Sequence, residues 1–118
     1  MKSAPALDVY CKFPRFAKSV IGWIVIQRRF SNGLNFDRTW QEYKDGFGDL
    51  NSEFWMGLEK LHMITNGYKS YRLQVTVTDE QGGIVMSGVY EDVKVRSEKE
   101  DYRLDGYFKT GTSSLLYI

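Results

Sequence analysis

Apolar and polar residues alternate most regularly between Tyr71 and Thr78. The apolar positions are Tyr71, Leu73, Val75 and Val77, and the polar positions are Arg72, Gln74, Thr76 and Thr78. A period of two is typical of a strand with one buried and one solvated face. Turn residues follow at 79–83, and the next apolar run predicts a second strand, Ile84–Val95, that completes a hairpin. The alternation fails at Ser87 and Gly88, where we expect a β-bulge.

A short strand and a helix are predicted before this hairpin. Residues 22–28 contain three consecutive β-branched or aliphatic residues, Ile24, Val25 and Ile26. Such a run predicts a strand that is covered on both faces. Asn32-Gly33 is typical of a turn. Thr39 and Glu42 have the spacing of a capping box, so a helix is expected to begin there. Its apolar face would carry Trp40, Tyr43 and Phe47.

Two glycines, Gly46 and Gly48, end this helix, and a second helix is predicted to follow. Asn51 or Ser52 is its predicted cap, and Asn66-Gly67 is its stop signal. One face would be lined by Phe54, Leu58 and Leu61, with Trp55 and His62 beside it. Tyr102 and Leu104 suggest one more short strand. Strand, helix, helix and then hairpin is the order of an α+β fold with an antiparallel sheet.

Composition excludes several classes of protein. The chain has 118 residues, which suits one domain, with 16 Lys+Arg against 15 Asp+Glu and a net charge of +1. This balance argues against a nucleic-acid partner, and no apolar run approaches the ~20 residues of a membrane span. One cysteine and one histidine exclude an internal disulfide, a Cys-rich zinc module and a histidine cluster. The first eight residues are too short and polar for a secretory signal, so the chain stays in the cytosol or its signal lies outside this sequence.

No pattern in the chain predicts catalysis, a cofactor or a metal site. His62 is the one imidazole, and a structural or helix-capping role is favoured over a catalytic one. Gly46-Phe47-Gly48 lacks the third glycine and the preceding strand of a dinucleotide-binding loop, so a helix stop is favoured. The acidic turn at 79–83 lacks the alternating ligands of a calcium loop.

Other polar and aromatic motifs also favour structural roles. We expect Arg28 and Arg29 to form ion pairs with nearby carboxylates more readily than to bind a phosphate. Residues 98–101 are a mixed-charge run and predict a solvated face. The three tryptophans fall at apolar positions of predicted elements, which favours core positions over a sugar platform; they are Trp23, Trp40 and Trp55.

Three segments together resemble one family. They are GWIVIQRR at residues 22–29, NFDRTWQEYKDGFGDL at 35–50 and EFWMGLEKLH at 53–62, with VYC at 9–11 and YRL at 102–104 in the same register. They resemble the fibrinogen C-terminal globular domain, which is shared by fibrinogen chains, ficolins, angiopoietins, tenascins and invertebrate fibrinogen-related lectins. The long ungapped middle segment makes the resemblance specific.

The resemblance implies a truncated fibrinogen C-terminal domain-like fold. A small N-terminal subdomain over about residues 8–48 would precede an incomplete central antiparallel sheet with two flanking helices over about residues 49–118. Functions in the family are recognition: acetylated sugars for the lectin-like ficolins, receptors for angiopoietins and fibrin peptides for fibrinogen. By the same resemblance we expect an extracellular, secreted protein, including a possible role in innate immunity.

Departures from the family pattern limit which binding sites of the family can be expected in this sequence. Cys11 occupies the position of a family cysteine whose disulfide partner lies upstream, and this sequence has no upstream cysteine. The family continues past the apolar ending at 113–118, and its calcium loop and ligand pocket belong to that continuation. We therefore expect neither the sugar site nor the calcium site here, and binding residues stay unknown.

Two functions from different classes follow. The first is a non-enzymatic recognition or adhesion module that binds proteins. The second is a degenerate or partial paralogue that acts structurally by self-association, through an intermolecular disulfide of Cys11 or through its exposed sheet. An enzyme is the third and least favoured interpretation.

Overall fold

The computed structural model describes residues 7–12 and 22–111. These residues form two α-helices, one short 3-10 helix and eight strands in three antiparallel sheets, so the predicted α+β class is confirmed. Described residues up to Leu58 form one compact unit, and those from Glu59 form a second. The predicted subdomains over about residues 8–48 and 49–118 stay a prediction. The predictions for residues 1–6 and for the apolar ending at 113–118 concern residues outside the described ranges.

The predicted strand over residues 22–28 is two short strands in different sheets. β2 (Trp23–Val25) pairs with β1 (Tyr10–Lys12), and Cys11 lies opposite Ile24. β3 (Gln27–Arg28) pairs instead with a later strand. Between them, the carbonyl of Ile26 accepts a hydrogen bond from Met56 N at 2.8 Å. The apolar run cannot reveal this change of partner, because the partner of β3 lies more than twenty residues away in the sequence.

The first helix, α1 (Trp40–Asp45), begins at the predicted cap and stops at Gly46, so Phe47, which was predicted on its apolar face, lies outside it in a strand. The Thr39 hydroxyl accepts from the Glu42 backbone N–H at 3.2 Å, and the Glu42 carboxylate accepts from the Thr39 backbone N–H at 3.2 Å. Both contacts of the capping box are therefore present. At the other end, Gly46 has φ 94° and ψ 158°, a conformation that only glycine adopts readily. The interpretation of Gly46 as a helix stop is confirmed.

The predicted start of the second helix is wrong. Phe54–Trp55 is a strand, β5, in the middle of a three-stranded sheet with β3 on one side and β4 (Phe47–Gly48) on the other. The helix α2 is Leu58–Thr65 and ends before Asn66-Gly67, as predicted. Helical spacing of apolar residues was a weaker determinant here than pairing with two neighbouring strands, because the pairing satisfies the backbone groups of β5 on both sides.

The second unit contains a three-stranded sheet in the order β6, β7, β8. Its strands are β6 (Leu73–Thr78), β7 (Ile84–Val95) and β8 (Leu104–Gly111). The hairpin turn at 79–83 is confirmed: Gly82 N donates to the Asp79 carbonyl at 3.1 Å. The bulge lies at Val85 and not at Ser87-Gly88, because Val77 pairs with Met86 and Thr78 with Ile84.

The predicted strand at Tyr102 begins later. β8 starts at Leu104, whereas Tyr102 is a buried residue with φ 50° after the 3-10 helix Glu98–Glu100. Its hydroxyl donates to Glu59 Oε2 at 2.5 Å. Burial and the neighbouring Glu59 raise the pKa of this phenol well above its usual range, so it stays protonated. The residue ties the helix α2 to the start of β8.

Each unit has a small core of its own. In the first unit, Phe54 is 1% exposed and Met56 is also buried. The buried apolar residues of the second unit are Leu61, Val93, Val95 and Tyr102. The prediction that the tryptophans are core residues is wrong for Trp40, which is 50% exposed, while Trp23 and Trp55 are half-buried. Among the described residues, no helix is long and apolar enough to cross a membrane.

Candidate functional site

One face of the sheet β6–β8 is apolar and incompletely covered. The register places Leu73 opposite Tyr90, Val77 opposite Met86, and Tyr90 opposite Phe108. Directly paired residues of antiparallel strands project to the same side, so these residues share one face. We define the apolar face as Leu73, Val75, Val77, Met86, Tyr90 and Phe108. Val77 is 45% exposed and Phe108 is 39% exposed, so this face presents carbon to solvent along both edges of the sheet.

Aromatic packing holds part of this face in place. The rings of Tyr90 and Phe108 meet edge to face, with centroids 5.6 Å apart and planes at 70°. This arrangement is the one that aromatic quadrupoles favour. The pair spans β7 and β8 across a register shift between Val89 and Tyr90. The face is therefore an ordered surface on paired strands.

The opposite face of the sheet is mixed and carries the charged residues. Glu91 Oε1 on β7 lies 2.8 Å from Arg72 Nε, just before β6, and 3.7 Å from Lys109 Nζ on β8. Glu91 is half-buried and this oxygen accepts no hydrogen bond, so both contacts are coulombic. Pairing also places Ile84 and Tyr107 on this face, and they are 67% and 56% exposed. The two faces therefore differ in charge, because the apolar face as defined contains no charged residue.

A shallow polar cavity of about 320 Å³ lies beside the end of α2. It is lined by His62, Asn66, Lys94, Arg96, Glu100 and Asp105. The Arg96 guanidinium lies 2.6 Å from Asp105 and 3.3 Å from Glu100. The hydrogen bond with Asp105 raises the pKa of Arg96 and lowers the pKa of the Asp105 carboxyl. This cation is engaged by the carboxylates of the cavity, and a bound anion would compete with them.

His62 makes a contact between helix and strand. Its Nδ1 lies 2.8 Å from the carbonyl oxygen of Val95 and 3.1 Å from the amide nitrogen of Asn66. The amide of Asn66 donates to the same carbonyl at 2.6 Å and to the His62 carbonyl at 2.9 Å. These bonds hold the end of α2 against β7. The geometry agrees with the structural role that the sequence favours for His62.

Glu53 is an organising residue that sequence reasoning missed. Its buried carboxylate accepts from Phe30 N at 2.7 Å, from Ser31 N at 2.6 Å and from Leu34 N at 3.1 Å. The hydrogen bond from Phe30 N is the largest cause of its lowered pKa. A charged residue directly before an apolar strand is the signal that could have revealed it. Glu53 fixes the loop that presents Phe30, which is 67% exposed.

The predicted ion pairs of Arg28 and Arg29 are not formed among the described residues. Arg28 donates from Nε to the Ser52 carbonyl at 2.6 Å and lies 4.4 Å from the centre of the Tyr10 ring. Arg29 lies 4.1 Å from the Phe36 ring. Backbone carbonyls and the Tyr10 ring engage the Arg28 guanidinium, and the Phe36 ring faces that of Arg29. The phosphate-binding alternative gains no support from this arrangement.

Cys11, the one residue that the sequence singles out for a possible role, is exposed on β1. Its pairing with Ile24 leaves the thiol accessible to solvent. The mixed-charge run at 98–101 is also exposed, as predicted. Within the described residues no group of three or more His, Cys, Asp and Glu side chains is arranged to hold a metal ion.

Comparison with known proteins gives consistent relatives. Residues 1–115 match the family model described as fibrinogen beta and gamma chains, C-terminal globular domain. The chain is 42% identical over 83 residues to mouse (Mus musculus) angiopoietin-related protein 2, covering 70% of this chain and 16% of that protein. It is 37% identical over 99 residues to human (Homo sapiens) fibroleukin, covering 84% of this chain and 21% of that protein.

Solved structures show the same fold. A lamprey fibrin D-dimer, solved with the peptide ligand Gly-His-Arg-Pro-amide, matches with a TM-score of 0.78 and 34% identity over 89% of this chain and 32% of that chain. The fibrinogen-like globe domain of human ANGPTL2 matches with a TM-score of 0.71 and 31% identity over 89% of this chain and 53% of that chain. The chain thus spans about a third to a half of these solved chains. It belongs to the family of fibrinogen C-terminal globular domains.

Proposed function

We propose that this chain is a non-enzymatic protein-recognition module of an extracellular fibrinogen-related protein. The observation that carries the proposal is the apolar face of the sheet β6–β8, with Val77 and Phe108 partly exposed on paired strands. Exposed apolar patches on ordered elements are typical of protein-binding surfaces. The lamprey relative, whose structure contains a bound peptide, supports a protein or peptide as the class of ligand.

Protein recognition accounts for the chain better than calcium binding. The described residues supply no cluster of oxygen ligands for a hard cation. We therefore propose a protein ligand that is bound without calcium.

Binding to purified proteins tests this proposal. The chain, produced by a secreting cell line, is titrated against a panel of purified receptor ectodomains and matrix proteins by biolayer interferometry. We expect saturable binding to at least one protein, weakened at least tenfold by Val77→Ser with Phe108→Ser. Gln81→Ser, in the exposed hairpin turn, is the control and leaves the affinity unchanged. Retention on immobilised acetylated sugar, with specific elution by the free sugar and no protein ligand, would overturn the proposal.

The second candidate is a structural role through self-association. Its supporting observation is the exposed thiol of Cys11, which in an oxidising compartment has only the Cys11 of another copy as a partner within this sequence. Non-reducing electrophoresis after mild oxidation should give a dimer band that reductant removes. Cys11→Ser should abolish the band. A thiol that stays monomeric and unreactive under the same conditions would contradict a disulfide-linked dimer.

A further inference from the structure

The outer edge of β6 is open in the part of the chain that the structure describes. β6 pairs with β7 on one side, and no described strand pairs with its other side. Its sequence, Leu-Gln-Val-Thr-Val-Thr, contains no charge, proline or glycine. Natural edge strands are usually protected from pairing with another chain by charges, proline or bulges. β6 carries none of these protections.

The backbone groups of Gln74 and Thr76 point toward this open edge. The carbonyl of Tyr71 accepts from Val93 N at 3.0 Å, and Asp79 N donates to the Gly83 carbonyl at 2.9 Å, so both of these residues face β7. Backbone direction alternates along a strand, and odd-numbered residues of β6 therefore face β7. The even-numbered residues offer their N–H and C=O groups outward.

The charges that flank β6 are turned back into the unit. Arg72 lies 2.8 Å from Glu91 on the neighbouring strand. Asp79 Oδ1 accepts from Gln81 N at 3.0 Å and from Gly83 N at 2.8 Å within the hairpin turn. Neither charge projects along the open edge as a barrier. Like charges would therefore not meet if two such edges were paired.

We propose that a second copy of this chain pairs with β6 in antiparallel orientation, about a two-fold axis at Val75. In this register Val75 lies opposite Val75 of the partner, Leu73 opposite Val77, and Gln74 opposite Thr76. Apolar residues then meet apolar residues on one face and polar residues meet polar residues on the other. The proposal rests on the self-association candidate above and names its surface.

The second edge of the sheet explains why pairing would stop at a dimer. The register of β8 with β7 shifts twice, so β8 is bulged where β6 is regular. Bulges of this kind oppose further strand addition. Because a two-fold contact uses the same edge of both copies, it closes on itself. The product is a six-stranded sheet with both apolar faces on one side.

Disulfide trapping tests the register. Under the proposal the Val75 pair is a non-hydrogen-bonded pair with Cα atoms about 4.5 Å apart, within the range of a disulfide. In the Cys11→Ser background, Val75→Cys should therefore form a reducible dimer under mild oxidation. Thr76→Cys is the control, because its two copies would be more than about 7 Å apart and should stay monomeric. Equal trapping of both variants, or of neither, would overturn the register.

A charge swap tests the interface without any cysteine. Gln74→Lys with Thr76→Lys places like charges opposite one another twice and should weaken dimerisation at least tenfold in sedimentation equilibrium. Gln74→Glu with Thr76→Lys places opposite charges together and should restore it. All these side chains are exposed, and near-UV circular dichroism verifies that each variant is folded.

Two results would overturn the proposal. One is equal dimerisation of both charge variants. The other is a monomer that instead binds an extended foreign peptide along β6. Neither result would affect binding to the protein panel, so this proposal can fail while the recognition function stands.

Discussion

The Glu53 carboxylate holds a whole loop, and its removal has a specific expected effect. Gln at this position presents an N–H₂ group to donors from Phe30, Ser31 and Leu34, and one or more of these donors would lose its acceptor. We expect Glu53→Gln to lower the melting temperature by several degrees. Thermal melts followed by near-UV circular dichroism measure this change. An unchanged melt would show that the loop does not depend on Glu53.

The same carboxylate links stability to pH. The backbone N–H of Phe30 is the largest cause of its lowered pKa, so the folded chain holds the ionised form more strongly than the unfolded chain does. The ionised Glu53 carboxylate therefore adds to the free energy of unfolding above pH 4.5, the usual pKa of a glutamate. This contribution is lost as the pH falls through the lower pKa of the folded chain. The wild-type chain should lose stability in acid more steeply than Glu53→Gln. If the stability of the two proteins fell equally with pH, Glu53 would not be the source of the pH dependence.

Gly46 is required by both its backbone conformation and its surroundings. At φ 94° a Cβ atom would lie 2.3 Å from the Met56 carbonyl oxygen. We expect Gly46→Ala to cost at least about 3 kcal/mol of unfolding free energy. Gly82→Ala is the control, because Gly82 has φ 84° but no atom within 4 Å of the added methyl. Gly82→Ala should lower the unfolding free energy by about 1 kcal/mol. Equal costs in urea titrations would exclude the steric contribution.

At the scale of elements, a buried hydroxyl connects α2 to β7. Thr65 Oγ1 accepts from Val95 N at 2.9 Å and donates to the Leu61 carbonyl at 2.8 Å. Thr65→Val keeps the shape but leaves the Val95 N–H without an acceptor, which costs about 1–3 kcal/mol. Thr65→Ser keeps the hydroxyl and should be less destabilising. Greater loss of stability in the serine variant, measured by urea unfolding, would contradict the role of this bond.

The elements differ in how well the sequence predicts them, for a physical reason. α1 and the hairpin turn at 79–83 are specified by local hydrogen bonds, and both are present where expected. β5 depends on two partner strands, of which β3 is distant in sequence, and its apolar spacing fits a helix equally well. The position of the bulge in β7 likewise depends on pairing with β6. Local chemistry was predictable, and the choice of strand partner was not.

The candidate surface was also predictable from the sequence only in part. The alternation of Leu73, Val75 and Val77 predicts an apolar face, and the sheet places these residues together with Tyr90 and Phe108. The role of Glu53 could not be predicted, because its three backbone donors lie about twenty residues away. Family membership, in contrast, was visible in the sequence from the residues between 22 and 62 alone.

For the whole molecule, we predict that calcium leaves stability unchanged. Calcium needs about six to eight converging oxygen ligands, and it stabilises a fold only by binding it more tightly than the unfolded chain. The described residues contain no such cluster. Thermal melts with millimolar calcium and with a chelator should coincide. A rise of several degrees with calcium would reveal a site that this account lacks.

The described residues have a fibrinogen-type fold with a partly exposed apolar sheet face and an open β6 edge. Exposed carbon and unpaired backbone groups on one sheet favour association over a free monomer. Sedimentation velocity of the reduced chain over a hundredfold range of concentration measures this association. We predict a reversible shift from 13.7 kDa toward twice that mass. A single species of 13.7 kDa at every concentration, with a sharp melt and a strong near-UV signal, would contradict the account.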